Sequence, residues 1–292
     1  MPIATRRTWV TVISLVLALS AVIVTMPASA SSANIPDYEV VFDTSGNTSG
    51  NKGADVTCPS GTRVLGTGAE IMGPSGDVVI DEVVPTTYTV NAFGIETGAG
   101  TSSLWMIRVW AVCGDPDEAT RIVSRTAPRN GLLPLTVTCD PGEFLLGNGY
   151  RLDGAGGKAV VDYIKPQLNA VHGHATWISS SAAPSWTLEM FAICAEDAPP
   201  GLWIYSDSTA NSPSSTLPSK ELDVSCGGAG DRQVVLGTGF AVQDEIGSIP
   251  ITDITLDYLV PTREKVEAKA AEVVPDSRYW NLVVYAICAY ED

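Results

Sequence analysis

The sequence predicts an all-β protein made of three repeated, disulfide-stapled modules. A phrase that runs from a tryptophan to a cysteine occurs three times, as "LWMIRVWAVC", "SWTLEMFAIC" and "YWNLVVYAIC". Each phrase is preceded by an earlier cysteine and a Leu-Gly-x-Gly segment, always in the same order. Landmarks that recur in a fixed order at a long period indicate an internal repeat. We expect a pseudo-threefold arrangement of the modules, either β-prism-like or β-sandwich-like.

We expect residues 1–30 to be a secretion signal. Arg6 and Arg7 form a basic start, an uncharged apolar run follows, and Ala28-Ser29-Ala30 resembles a cleavage site. The paired arginines also fit a twin-arginine signal, so the export route stays open. No later stretch is apolar for long enough to span a bilayer. We therefore expect a secreted, extracellular protein.

The rest of the chain divides into modules at 31–117, 118–200 and 201–292. The joints near Pro116 and Pro199 are short, which favours one packed body over three separate beads. The net charge of −16 opposes binding to nucleic acid and to anionic membranes. We expect neither partner, and the sequence does not indicate an oligomeric state.

The recurring phrase predicts the central core strand of each module. Strand alternation places its tryptophan on the same face as its cysteine, with the core residues; the tryptophans are Trp105, Trp186 and Trp280. We expect each module to have its own sheet, packed against another layer. The aromatic residues on the opposite face are predicted to pack against a neighbouring module or to touch a partner; they are Trp110, Phe191 and Tyr285.

The cysteines are predicted to form three disulfides, since they are even in number and contain no C-x-x-C zinc pair. Repetition leaves two regular schemes, one within modules and one between consecutive modules. Equal spacing in the first two modules favours pairing within modules: Cys58 with Cys113, Cys139 with Cys194, and Cys226 with Cys288.

Each module also carries a pair of glycines in a strand. We predict that they mark a β-bulge or the close approach of another group, such as a tryptophan ring, rather than a phosphate loop. The pairs are Gly66/Gly68, Gly147/Gly149 and Gly237/Gly239.

Each module has an aspartate four residues before a proline: Asp81, Asp162 and Asp257. Alternation places each carboxylate with apolar neighbours, for example Val79 and Val83, where an ionised group needs partners. Backbone NH groups at a turn would satisfy it, and a cation or ligand contact is the alternative. In a threefold arrangement the three carboxylates could converge.

Catalytic motifs are scarce, and no cofactor is predicted. The candidate catalytic residues are His172 and His174, which share one face of a strand and could bind a metal with Asp162. The corresponding stretches of the other modules carry no histidine.

The pattern "CPSGTRVLGTG" followed by "W…AVC" resembles a cysteine-framed β repeat of bacterial secreted and phage-tail-like proteins, written C-P-x-G…L-G-G-G…W…A-I-C-A. It departs from that pattern at Thr67, Asn148 and Thr238, and Gly227-Gly228 follows Cys226 where the first module has Pro-Ser after its cysteine. The resemblance implies export and β architecture, and it carries no activity.

We expect a non-catalytic protein that binds an extracellular carbohydrate or cell-surface polymer through loops that differ between modules, at 86–102, 167–184 and 262–276. The candidate ligand-binding residues are Tyr88, Trp177, Trp110, Asp81, Asp162 and Asp257. The alternatives are a metal-assisted hydrolase or lyase with one site in module two, and a structural or inhibitory surface protein.

Overall fold

The computed structural model describes residues 35–115, 120–128, 134–178, 185–213, 219–227, 232–244, 253–273 and 279–291. The predicted secretion signal lies outside the described residues. Regular structure in the described residues is β throughout, as predicted.

Six strands belong to each of the first two modules, and seven to the third. Module one has β1 (Glu39–Thr44), β2 (Lys52–Thr57), β3 (Arg63–Met72), β4 (Val78–Pro85), β5 (Thr89–Glu96) and β6 (Met106–Gly114). Module two has β7 (Thr120–Pro128), β8 (Leu135–Thr138), β9 (Phe144–Asp153), β10 (Ala159–Gln167), β11 (Ala170–Trp177) and β12 (Thr187–Ala195). Module three has β13 (Trp203–Ser208), β14 (Ser212–Pro213), β15 (Ser219–Ser225), β16 (Gln233–Asp244), β17 (Ile254–Pro261), β18 (Lys265–Glu272) and β19 (Tyr279–Tyr290).

Three antiparallel sheets are each shared between two modules. The module 1–2 sheet has the order β2-β5-β4-β9-β12-β7, the module 2–3 sheet β13-β19-β16-β10-β11-β8, and the module 1–3 sheet β1-β6-β3-β17-β18-β15. The short strand β14 also pairs with β19. Apart from β14, each module thus gives three strands to one sheet and three to another. The expectation that each module has its own sheet is wrong, because half of every sheet comes from a neighbouring module.

The recurring phrase forms the middle strand of each three-stranded half, as β6, β12 and β19. The three tryptophans at its start are buried, which confirms the predicted core face: Trp105, Trp186 and Trp280. A disulfide joins the two three-stranded halves of each module. Cys58 pairs with Cys113 and Cys139 with Cys194, both at a separation of 55 residues, and Cys226 pairs with Cys288 at 62. Because the first cysteine follows a strand of one sheet and the second lies in another, each disulfide connects two sheets.

The first glycine of each pair lets the three modules meet at the centre of the molecule. The sheet register skips the preceding residue, which makes a β-bulge at Leu65, Leu146 and Leu236. A Cβ on the glycine would collide with a leucine carbonyl oxygen of another module, at 1.9 Å from Leu236 for Gly66, 2.2 Å from Leu65 for Gly147 and 2.3 Å from Leu146 for Gly237. The predicted bulge and close approach are confirmed, but the approaching group is backbone and not a tryptophan ring.

A closed ring of hydrogen bonds links the modules at the same level. Thr67 Oγ1 donates to the Asn148 carbonyl oxygen (2.8 Å), Asn148 Nδ2 donates to the Thr238 carbonyl oxygen (2.6 Å), and Thr238 Oγ1 donates to the Thr67 carbonyl oxygen (3.0 Å). These residues lie between the paired glycines. The cyclic order of the contacts shows the pseudo-threefold arrangement directly.

The second glycine of each pair packs against a proline of another module, the one that follows the repeated aspartate. A Cβ at Gly149 would lie 2.5 Å from Pro85 Cδ, and one at Gly68 would lie 2.3 Å from Pro261 Cδ. Gly239 faces Pro166 in the same way, at 2.6 Å. The two recurring motifs are therefore the two sides of one contact between modules.

Candidate functional site

The three repeated aspartates occupy β-bulges where two modules join. The register with the neighbouring strand skips Asp81, Asp162 and Asp257. In module one, Ile80 and Val83 both line a small apolar cavity at the centre of the molecule, so Asp81 and Glu82 between them face away from it. The prediction that Asp81 shares a face with Val83 is therefore wrong, and the carboxylates do not converge on the centre.

In module two, the aspartate is held by a histidine. His174 Nδ1 lies 2.8 Å from each carboxylate oxygen of Asp162, and both side chains are buried. The His174 ring stacks on Tyr163, with centroids 5.5 Å apart. His172 Nδ1 instead hydrogen-bonds to Thr136 Oγ1 at 2.8 Å, and burial lowers the pKa of His172. The two histidines therefore have different partners.

The predicted metal ligands do not form a close cluster. Within the described ranges, one group of three His, Cys, Asp or Glu side chains has its ligand atoms within 4.8 Å of one another, and it consists of Cys139, Glu143 and Cys194. Both sulfurs of that group are in the disulfide. This arrangement gives no support to a metal held jointly by His172, His174 and Asp162.

In module three, the aspartate is held by a lysine and a serine. Lys269 Nζ lies 3.2 Å from Asp257 Oδ2, and Ser75 Oγ of module one donates a hydrogen bond to the same oxygen. The serine belongs to the connection between β3 and β4, which reaches across from the neighbouring module. Side chains, and not backbone NH groups at a turn, hold this carboxylate.

In module one, the aspartate has no such partner. Asp81 is 7% exposed, and its Oδ1 atom is buried without a hydrogen-bond partner among the described residues. Burial, with smaller contributions from the negative charges of Glu82 and Asp153, raises the pKa of Asp81 to about 7. A buried carboxyl without a donor holds its proton up to neutral pH.

Two sequence differences remove the partners of Asp81. The strand register pairs Glu82 with Phe93, Tyr163 with His174, and Tyr258 with Lys269, so Phe93 takes the place of the histidine and the lysine. Gly156, six residues before Asp162, takes the place of Ser75, which is six residues before Asp81. A phenyl ring and a glycine offer no side-chain donor to the carboxyl group.

Asp81 lies in a groove of about 810 Å³ on the module 1–2 sheet. Carboxylates of Glu82, Asp153 and Glu189 also line the groove, together with Phe93 and Arg151. Arg151 Nε lies 2.7 Å from Glu82 Oε2, and Arg151 Nη1 lies 3.5 Å from Glu189 Oε2. The single guanidinium of the lining is thus engaged by two of its carboxylates, which leaves the groove acidic around Asp81.

The other predicted contact residues lie outside this groove. Trp110 is buried and packs against Phe42, with ring centroids 6.1 Å apart, and Trp177 packs edge-on against Trp186 at 5.3 Å. Tyr88 is 55% exposed in the turn between β4 and β5. The structure does not bring these three aromatics to Asp81.

The segments predicted as variable loops contain regular structure. Strand β5 lies within 86–102, β11 within 167–184 and β18 within 262–276. The prediction of loops is wrong for these strands, because the sequence differences between the repeats here lie on equivalent strands. Phe93 and its counterparts lie on these strands. The signal is present in the sequence, since Phe93, His174 and Lys269 each stand twelve residues after the repeated aspartate.

No protein-family model matches the chain, and no curated protein matches it. The described residues include no helix that is long and apolar enough to cross a membrane.

Proposed function

We propose that this is a secreted, non-catalytic binding protein that holds an extracellular glycan or surface polymer in the groove of the module 1–2 sheet. One observation carries the proposal: Asp81 lines the groove together with Phe93 and has no hydrogen-bond partner for its Oδ1 atom. The equivalent aspartates of the other two modules, Asp162 and Asp257, have partners within the protein. Three disulfides fit an oxidising compartment. Mass spectrometry of the exported protein should give a chain that begins at Ser31.

A carbohydrate suits the chemistry of this groove. A sugar ring presents hydroxyl or amine donors at its edge and an apolar C–H face, and an aromatic ring beside a carboxylate complements both. Asp81 and Phe93 provide that pair. The groove volume of about 810 Å³ lies within the range of small-molecule binding sites.

The alternative of a metal-assisted hydrolase or lyase in module two has less support. Asp162 and His174 are both buried and bonded to each other, so neither reaches the surface as an open ligand. Metal analysis of the purified protein tests this alternative. Stoichiometric metal that disappears in His174→Ala would favour the enzyme.

Binding to purified cell-wall polysaccharides and to a glycan array tests the proposed function. We expect retention by the wild type and a loss of about tenfold in affinity for Phe93→Ala, because the variant loses the apolar surface that the sugar ring would cover. Tenfold corresponds to about 1.4 kcal/mol, close to what burial of an apolar side chain contributes. Tyr88→Ala is the matched control, because it removes an exposed aromatic outside the groove. Failure of the wild type to bind any glycan, or equal loss in both variants, would contradict the proposal.

A further inference from the structure

We propose that the ligand brings its own ammonium group to Asp81, and that an amino sugar of the bound glycan supplies it. This inference rests on the proposed function and specifies the class of glycan. It predicts a polymer with free amines in preference to its N-acetylated form.

The other two modules provide the internal template. At the position equivalent to Phe93, module three places Lys269 Nζ 3.2 Å from the Asp257 carboxylate, and module two places His174 2.8 Å from Asp162. Both groups are nitrogen donors on the adjacent strand. In module one the backbone bulge and the buried carboxyl are kept, while the nitrogen is absent. A ligand ammonium at this position would complete the pattern.

The surrounding charges favour a cation over a neutral hydroxyl. Arg151 is engaged by Glu82 and Glu189, and the described lining contains no other basic side chain. Asp81 and Asp153 therefore face the groove without a cation. Hydrogen bonds between an ammonium and a carboxylate are about twice as strong as neutral ones, which gives the site a basis for selecting amines.

The shape of the groove favours a sugar amine over a lysine side chain. Phe93 lines the groove together with Asp81 and provides a flat apolar surface, and Gly154 and Gly156 of the connection between β9 and β10 line it as well. A Cβ at Gly156 would meet no atom within 4 Å, so the groove is open on that side. Linked sugar rings would fill more of a groove of about 810 Å³ than one extended lysine side chain would.

Titration calorimetry with short β-linked glucosamine oligomers near pH 7, where the Asp81 carboxyl begins to ionise and part of the sugar amine is protonated, tests the inference. We expect the wild type to bind the amine form about tenfold or more tightly than the fully N-acetylated oligomer. Asp81→Asn should abolish this preference, so that the amine and acetylated oligomers bind this variant with similar affinity. A lysine-rich peptide is the third ligand.

The outcomes separate the two proposals. Equal affinity for both oligomers, or a preference that survives in Asp81→Asn, overturns the ammonium inference while the glycan function stands. Binding of neither oligomer overturns the inference, and failure on the glycan array as well overturns the function. Binding of the peptide without either oligomer, together with failure on the glycan array, overturns both proposals and assigns the groove to protein partners.

The variant Phe93→Lys tests, in the protein without ligand, whether Phe93 is equivalent to Lys269 and His174. The new ammonium should pair with Asp81 as Lys269 pairs with Asp257, lower the pKa of Asp81 and abolish the amine preference. Phe93→Leu is the control, because it removes the ring but adds no charge. A lysine variant whose Asp81 still titrates near neutral pH would show that the three positions are not equivalent.

Discussion

At the scale of single residues, three equivalent aspartates experience three different environments. Asp162 meets His174, Asp257 meets Lys269, and Asp81 meets only Phe93 on the adjacent strand. A buried carboxylate with a partner is tolerated, but one without a partner destabilises the folded state whenever it ionises. The sequence predicted that these aspartates need partners. It could not show which of them lacks one, because the partners lie on another strand or in another module.

The stability of the protein should therefore depend on pH through Asp81. The pKa of this group rises from 3.8 in the unfolded chain to about 7 in the folded protein. Between about pH 4 and pH 7 the Asp81 carboxyl is ionised in the unfolded chain but protonated in the folded protein. The free energy of unfolding therefore falls as pH rises through this range, by about 4 kcal/mol at most. Asp81→Asn should remove this loss and raise the melting temperature at pH 8, with little effect at pH 4.

Asp257→Asn is the matched control for that experiment. It leaves Lys269 without its carboxylate, so it should destabilise the protein at pH 8. Thermal unfolding of both variants across this pH range measures the contrast. If both variants shift stability in the same direction at pH 8, the assignment of Asp81 as the unpaired position is wrong.

At the scale of elements, bulges decide which side chains meet. Strict alternation placed Asp81 beside Val83, whereas the bulge rotates the strand and sends the two to opposite faces. Glycine in a strand did predict the bulges at the centre. The nature of the approaching group did not follow from the sequence, since spacing within one module carries no information about the strand that another module places there.

Gly66→Ala should be among the most damaging single-methyl changes in this protein. Its Cβ would lie 1.9 Å from the Leu236 carbonyl oxygen. The backbone fixes the position of both atoms, so neither can move away by a side-chain rotation. We expect a loss of about 3 kcal/mol or more in the free energy of unfolding, at the upper end of overpacking effects. Denaturant unfolding measures it.

Gly46→Ala is the control, because no atom lies within 4 Å of the added methyl group. It should change stability by about 0.5 kcal/mol or less. Comparable losses in the two variants would contradict the close approach of backbones at the centre.

At the scale of the whole molecule, the modules interlock. The sequence was enough to predict four features, because each leaves a pattern within one repeat: the all-β fold class, the strand-rich modules, the buried tryptophans and the disulfide pairing. The sharing of sheets could not, since strand partners such as β4 and β9 belong to different repeats and only their contacts identify them. The candidate groove lies at that same junction, and sequence reasoning found Asp81 but missed Phe93 and Arg151.

An isolated module should not fold. Residues 118–200 would carry the edge strands of two half-sheets and would lack Pro85 on Gly149 and the carbonyl of Leu65 at Gly147. We expect no cooperative thermal transition for this fragment with its disulfide formed, and a single transition for residues 31–292. A cooperative transition in the fragment would show that one module contains a complete fold.

The central claim is that the scaffold fills two of three equivalent acidic positions itself and leaves Asp81 for a ligand. A carbon-13 NMR titration of the aspartate carboxyl groups tests it most directly, with Asp81 assigned through the Asp81→Asn variant. We predict a midpoint of about 7 for Asp81 in the free protein and a clear decrease when a glucosamine oligomer is bound. A midpoint near 4 in the free protein would contradict the claim, since the carboxylate would then already have its partner.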